Sequence, residues 1–209
     1  KNVVGGCCNM IINNLRSVNT IFRQKSTFDH LRVASIKQFE TFEHWSRRLI
    51  NDFFTSDFGL DYLDSMVSDN QPLVKTEIKR RIRERKKENP GKYPRDIDAI
   101  LLEDIEYFFT RDDLYKKYFK KVFCPFYSGS NEIRSILERL IPIRNKLAHD
   151  NPISFREAEQ VECYTNDFID AFKRYYSQQG KEREYNVPTI ISISDSQGNI
   201  YRAKTEIIQ

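Results

Sequence analysis

The chain has 209 residues, with 34 Lys and Arg against 30 Asp and Glu, a net charge of +4. That length supports one good core, or a domain with an appendage, and the mild excess of cations allows an anionic partner without requiring one. Its 15 Phe and 11 Tyr exclude a disordered chain, and no apolar run reaches the ~20 residues of a membrane-spanning helix.

With 7 Gly and 7 Pro, the sequence is expected to be mostly helical. The four cysteines, Cys7, Cys8, Cys124 and Cys163, show no CxxC spacing. They predict reduced thiols in a cytoplasm rather than a zinc site. There is no secretory signal pattern. The chain starts at Lys1 rather than Met, and is expected to be a piece of a longer protein.

Residues 1–25 predict an N-terminal helix and linker, interrupted near Gly5-Gly6, with Cys7-Cys8 packed as small apolar residues. Ser26-Thr27-Phe28-Asp29 has capping-box form and predicts the start of a long helix to about Phe54. Phe39, Phe42, Trp45, Leu49 and Phe53 form its core side, and His44 lies among Glu40, Arg47 and Arg48 on the other. His44 there reads as a second catalytic group or as a solvated surface histidine, and its charged neighbours favour the second. Residues 56–70 are a short helix or a loop.

From Pro72 to Glu88 the run PLVKTEIKRRIRERKKE predicts a basic helix ended by Asn89-Pro90-Gly91. Lys79, Arg80, Arg83 and Lys87 make it a candidate phosphate-binding arm. The alternative is a solvated face paired with acidic neighbours such as Glu103, Asp104 and Glu106. No aromatic residue interleaves the run, so it would position RNA rather than read sequence. Residues 96–109 predict an amphipathic helix, and Thr110-Arg111-Asp112-Asp113 caps another that ends near Phe123. The surrounding aromatic residues, from Tyr107 to Tyr127, have the helical spacing of a core.

Ser130 is expected to cap a helix whose apolar positions, Ile133, Ile136, Leu137, Leu140, Ile141, Leu147 and Ala148, recur at three- and four-residue steps. Arg144 falls in the middle of that face, where a guanidinium needs a partner or water. Pro142 is expected to kink the helix, and Asn151-Pro152 to end it, leaving His149 in its last turn. Ser154-Phe155-Arg156-Glu157 is a capping box that starts a further helix, which ends before Gln179-Gly180. From Val187 the period changes to two β-rich runs around Asp195-Ser196-Gln197-Gly198-Asn199, a hairpin signal.

Arg144-Asn145-Lys146-Leu147-Ala148-His149 resembles the Arg-polar-x-x-x-His motif of HEPN domains, the higher eukaryote and prokaryote nucleotide-binding domains. The resemblance extends in residue detail from Ile133 to Tyr176, and in helix pattern from about Ser26 to Gln179. It points to the branch found in prokaryotic defence proteins. It implies an all-α, antiparallel helical bundle over residues 26–180, with the hairpin of 187–209 as an appendage or the start of a further domain. It also implies a metal-independent endoribonuclease that works as a homodimer through the motif helix, in a toxin or antiphage effector. Other domains or subunits of a larger defence protein are further expected partners.

The expected chemistry is attack of the RNA 2′-hydroxyl on the adjacent phosphate, leaving a 2′,3′-cyclic phosphate. His149 would move protons, Arg144 would grip the phosphate through its planar fork, and Asn145 would orient one or the other. Lys146 joins the basic helix as an expected RNA contact. No cofactor, metal or membrane is expected. Two other readings stand beside this one. The first is a HEPN module that docks or dimerises without catalysis, with Arg144 paired to a buried carboxylate and His149 merely ending a helix. The second is a DNA-binding helical domain, resting on the basic helix alone.

Overall fold

The computed structural model describes the backbone of residues 4–68, 71–181, 192–194 and 200–202, and the side chains of 29–68 and 71–181. About three quarters of the described residues are helical, giving the expected all-α fold with a small β-hairpin. The chain divides into two units, Lys1–Phe172 and Lys173–Gln209. The boundary falls inside the last helix rather than at the Gly180 that the sequence suggested.

In the first unit, α1 runs unbroken over Val4–Phe58. The expected start at Ser26 is not there. Gly5 and Gly6 fall in the first turn, where backbone donors lack helical partners in any case. No proline follows within the helix, and Ser26 and Thr27 cost only about 0.5 kcal/mol each in a helix interior. Gly59, at φ +80°, stops the helix with a hydrogen bond from its N–H to the Thr55 carbonyl. The expected packing of Cys7 and Cys8, and of the apolar positions near them, lies outside the described side chains.

A single 3-10 turn, Tyr62–Asp64, follows, and then a hairpin of β1, Met66–Ser68, and β2, Gln71–Pro72. The two strands pair antiparallel, Met66 opposite Pro72. The sequence predicted a helix or loop there, because two or three residues are too few to show a period of two. The basic run forms α2, Thr76–Glu88. The expected helix of 96–109 is divided into a 3-10 turn, Asp96–Ala99, and α3, Leu102–Thr110. Asp104, at the third position of α3, accepts the Leu101 N–H at 3.2 Å and caps that start.

The next expected helix comprises α4, Asp112–Leu114, a π turn at Tyr115–Phe119, and α5, Lys120–Phe123. The motif helix is α6, Ser130–Ala148, and it continues through Pro142. Its start is tied not by Ser130 but by Ser128, whose backbone N–H and hydroxyl both donate to Glu132, at 2.7 and 2.8 Å. The last helix, α7, Phe155–Gln178, begins at the expected capping box. Ser154 N–H and Oγ donate to Glu157 at 2.7 and 2.9 Å, and Glu157 N–H donates back to Ser154 Oγ at 3.2 Å.

The core is aromatic. Phe54 of α1 meets Tyr62, Phe108, Tyr118 and Phe119 at ring separations of 5.4–6.3 Å. A second group joins Phe42 of α1 and Phe123 of α5 to Phe168 and Phe172 of α7. Stacked, tilted and edge-on pairs of this kind add about 0.5–1.5 kcal/mol each beyond burial. The aromatic residues from Phe108 to Phe123 are thus core residues, as their spacing predicted, while Phe126 is exposed.

Contacts set the helix directions. Glu43 and Arg32 of α1 meet Arg144 and Asp150, at and just after the end of α6, so α6 runs antiparallel to α1. Lys146 meets Glu157, and Arg139 meets Tyr164, so α7 turns back along α6. In the second unit, β3, Ser192–Ser194, pairs antiparallel with β4, Ile200–Arg202, with Ile193 opposite Tyr201. This is the hairpin the sequence predicted; its turn lies outside the described residues.

Candidate active site

Helix α6 buries Ile133, Leu137, Leu140, Ile143 and Leu147 against the core. Arg144 follows Ile143 and is only half-buried. Its aliphatic stem shares the packed side while its charge reaches a carboxylate. That carboxylate is Glu43 of α1, itself 8% exposed. Arg144 Nε donates to Glu43 Oε1 at 3.4 Å. Glu43 Oε2 accepts a much shorter bond, 2.6 Å, from Arg47, whose Nε also donates to the Ile100 carbonyl at 2.8 Å. One buried carboxylate therefore joins two arginines, from α1 and α6.

The end of α6 is a Schellman closure. Asn151 N–H donates to the Lys146 carbonyl at 2.9 Å, and Asp150 N–H to the Leu147 carbonyl at 3.3 Å. The closure needs a left-handed residue, supplied by Asp150 at φ 59°. Aspartate is one of the few residues besides glycine that enter this region readily. The Asp150 carboxylate pairs with Arg32 of α1. His149, the residue before it, is the exposed C-cap of the helix. Asn145 is half-buried, and its carbonyl accepts the His149 N–H at 3.2 Å.

Arg144 lines a cleft of about 800 Å³ between α1, α6 and the segment before α3. Glu40, Glu43, His44 and Arg47 reach it from α1, and Leu147 and Ala148 from α6. Lys92, Tyr93 and Pro94 close another side, beside Asp98. The cleft thus mixes three fixed cations with three carboxylates and an imidazole. His149 does not line it; it stands one residue beyond the lining residue Ala148. Among the described residues no group of His, Cys, Asp and Glu is arranged to hold a metal ion, and no helix is long and apolar enough to cross a membrane.

His44 is where the structure departs most from the sequence reading. Its ring is exposed, as expected, but it faces the Arg144 cleft. Partial burial, then the charges of Arg48, Arg47 and Arg95, hold its pKa below the ordinary 6.5, against a smaller opposing pull from Asp98. The signal was present in the sequence as Glu40, His44 and Arg47, spaced four and three apart on one helix face. Those neighbours resemble ordinary surface charges, and the cleft that gathers them is completed by residues 48 to 104 positions from His44.

The basic helix has two faces. Arg81 and Arg85 turn inward to Asp104, at 2.9 and 2.6 Å, and Lys86 meets Asp96 at 2.7 Å. Asp104 is completely buried. Two guanidiniums and a backbone N–H satisfy it, which makes this cationic face a docking device for α3. Lys79, Arg80, Arg83 and Lys87 fall on the other face and line a groove of about 450 Å³ with Asp64 and Glu84. Arg83 holds Asp64 through two bonds of 2.8 and 2.9 Å, Lys79 reaches the same carboxylate at 3.4 Å, and Arg80 pairs with Glu84 at 2.7 Å. The pairing with acidic neighbours is thus seen on both faces, at Asp104 on the inner one and at Asp64 and Glu84 on the outer one, where the four cations named for phosphate binding lie together.

Lys146 belongs to neither group. It points to Glu157 at 2.5 Å and clasps the first turn of α7 to the last turn of α6. The Lys146 ammonium, with the Ser154 N–H, pulls the Glu157 carboxyl down to about 2. No protein-family model, curated protein or solved structure matches the chain.

Proposed function

We propose that the chain is a metal-independent endoribonuclease of HEPN type, cutting RNA by attack of the 2′-hydroxyl to leave a 2′,3′-cyclic phosphate. The observation that carries this reading is the placing of Arg144. It is half-buried in an open cleft, held through Nε alone, on the helix that ends in the exposed His149. A guanidinium has five donors, and the bond to Glu43 occupies one of them. The terminal nitrogens are the pair that grips a phosphate in bidentate fashion. Under this reading Arg144 holds the crowded phosphate, and His149 protonates the leaving 5′-oxygen. Action as a homodimer through α6 and a role as a toxin or antiphage effector belong to the same proposal and rest on the resemblance, and a cytoplasmic setting rests on the cysteine pattern.

A second reading is favoured by one specific observation. The Arg144–Glu43 pair is the contact expected of a module that keeps the fold and docks or dimerises without catalysis. Incubating the purified chain with total RNA in EDTA, beside His149→Ala and Arg144→Ala, separates the two. The nuclease reading expects cleavage by the wild type, loss of at least about 100-fold in each variant, and an unchanged helical circular-dichroism signal. Equal cleavage by all three proteins, or none by any, refutes it.

A further inference from the structure

We infer that His44 is the catalytic base of the Arg144 cleft, taking the 2′-hydroxyl proton of a single-stranded RNA whose phosphate lies on Arg144. The inference rests on the nuclease reading and adds to it a residue outside the Arg-x4-His motif.

The geometry begins with Glu43. Its carboxylate accepts Arg144 Nε at 3.4 Å, which places α1 and α6 opposite each other at this level. His44 is the next residue on α1, and its side chain lines the same cleft as Arg144. His149 is beyond that lining. Among the described residues the His44 imidazole makes no hydrogen bond, so its ring nitrogens are open to a ligand. The cleft also offers what a nucleotide needs beside its phosphate. Lys92 adds a further cation, its ammonium 5.3 Å from the centre of the Tyr93 ring, and Tyr93 and Pro94 add apolar surface to the lining.

Proton bookkeeping gives the assignment its use. A base must be neutral before the reaction, and an acid must be protonated. The groups facing His44 are Arg47 and Arg48 on its own helix, Arg95, Lys92 and Tyr93 from the segment before α3, and Arg144 from α6. Glu40, Glu43 and Asp98 oppose them. Burial and the nearest arginines disfavour the imidazolium, so the fold favours the neutral form that a base needs.

In the reaction, a ring nitrogen of His44 takes the 2′-hydroxyl proton, and the freed 2′-oxygen pair forms the new bond to phosphorus. The bond from phosphorus to the 5′-oxygen breaks, and that oxygen leaves with the electron pair and takes a proton from the His149 imidazolium. His44 ends protonated and His149 neutral; exchange with water resets both. Two histidines of one chain then divide the roles that a single motif histidine would need a second subunit to share.

The test measures single-turnover cleavage of a short single-stranded oligoribonucleotide in EDTA from about pH 5 to 8. The proteins are wild type, His44→Ala, His44→Gln and His149→Ala, each as the full chain. The expected wild-type rate rises with pH on its acid side, with the midpoint of that rise below 6.5. Both His44 variants lose about 10²- to 10⁴-fold and lose that rise, whereas His149→Ala is slow but keeps it. As a second readout, the His44 ring proton signals should shift on titration with a 2′-O-methyl oligoribonucleotide, which has no nucleophile. An active wild type with His44→Ala within about twofold of it and the same pH profile overturns the assignment and leaves the nuclease reading standing. A shift of the His44 signals with no cleavage by the wild type overturns both, and marks the cleft as a site that binds RNA without cutting it.

Discussion

The Glu43 carboxylate offers the sharpest test of how the cleft is held together. Glu43→Gln keeps the shape of the side chain and removes its charge. The wild-type carboxylate is 11% exposed, and its two arginines, Arg47 and Arg144, are 23% and 22% exposed. Breaking a fully buried pair costs about 3–5 kcal/mol. Water in the cleft screens this one, so the expected cost is about 2–3 kcal/mol, or on the order of 4–12 °C in Tm for a chain of this length. Double-mutant cycles with Arg47→Met and Arg144→Met then divide the loss. The Arg47 bond, at 2.6 Å, is short and charge-assisted, and its coupling should be about 1.5–3 kcal/mol. The Arg144 bond, at 3.4 Å, is at the edge of a hydrogen bond, and its coupling should be below about 1 kcal/mol. Urea melts of the four proteins in each cycle give both numbers. A Glu43–Arg144 coupling equal to or above the Glu43–Arg47 value refutes the claim that Arg144 is the loosely held member.

Two further outcomes follow from the charges outside the cleft. Replacing Lys79, Arg80, Arg83 and Lys87 with Gln should weaken RNA binding and flatten its dependence on salt by less than about 2.8 in slope, four single-strand contacts at ~0.7 each. The shortfall arises because Asp64 and Glu84 already neutralise part of that face; unchanged binding at low salt would make it a solvated face only. The Glu157 carboxyl is depressed in the folded chain, so its stabilisation is complete above the ordinary 4.5 and is lost as pH falls towards about 2. Glu157→Gln should cost about 0.5–2 kcal/mol at neutral pH as a lost cap, and should shrink the difference in stability between pH 5 and pH 2; an identical acid loss in both proteins counts against the Lys146–Glu157 clasp.

The readable parts of the chain were those whose cause is local. The capping box at Ser154 and Glu157, the apolar face of α6 and the hairpin before Gln209 each depend on residues a few positions apart, and their spacing carries the signal. Gly59 could have been read the same way, as the residue that stops α1. The continuity of α1 through Ser26 was not legible, because a capping sequence is also a tolerable helix interior when nothing else breaks the chain. The β1–β2 hairpin was too short to show a period. The two faces of α2 depend on Asp104, Asp96 and Asp64, which lie 10 to 23 residues away, so the sequence could rank the two uses of its cations only as equal. At the cleft, the sequence marked Arg144 as a charge that needs a partner. It could not name Glu43, 101 residues earlier, nor bring His44 to the same side.

The unequal sharing of Glu43 bears on which use of Arg144 the fold is built for. A guanidinium that serves only as a strut is best held by its fork, with two parallel bonds to one carboxylate. Arg47 comes closer to that role, with one short bond to Glu43 and a second to the Ile100 carbonyl. Arg144 is held by its inner nitrogen, at a longer distance. Its outer nitrogens make no hydrogen bond among the described residues, and Arg144 lines the cleft together with Lys92 and His44. Glu43 thereby aims Arg144 without using the donors that a phosphate would need. An incoming phosphate would not have to displace the carboxylate, so the buried charge of Glu43 stays neutralised by Arg47 throughout. An arrangement of this kind binds an anion without unpairing a buried acid, which would otherwise cost several kcal/mol.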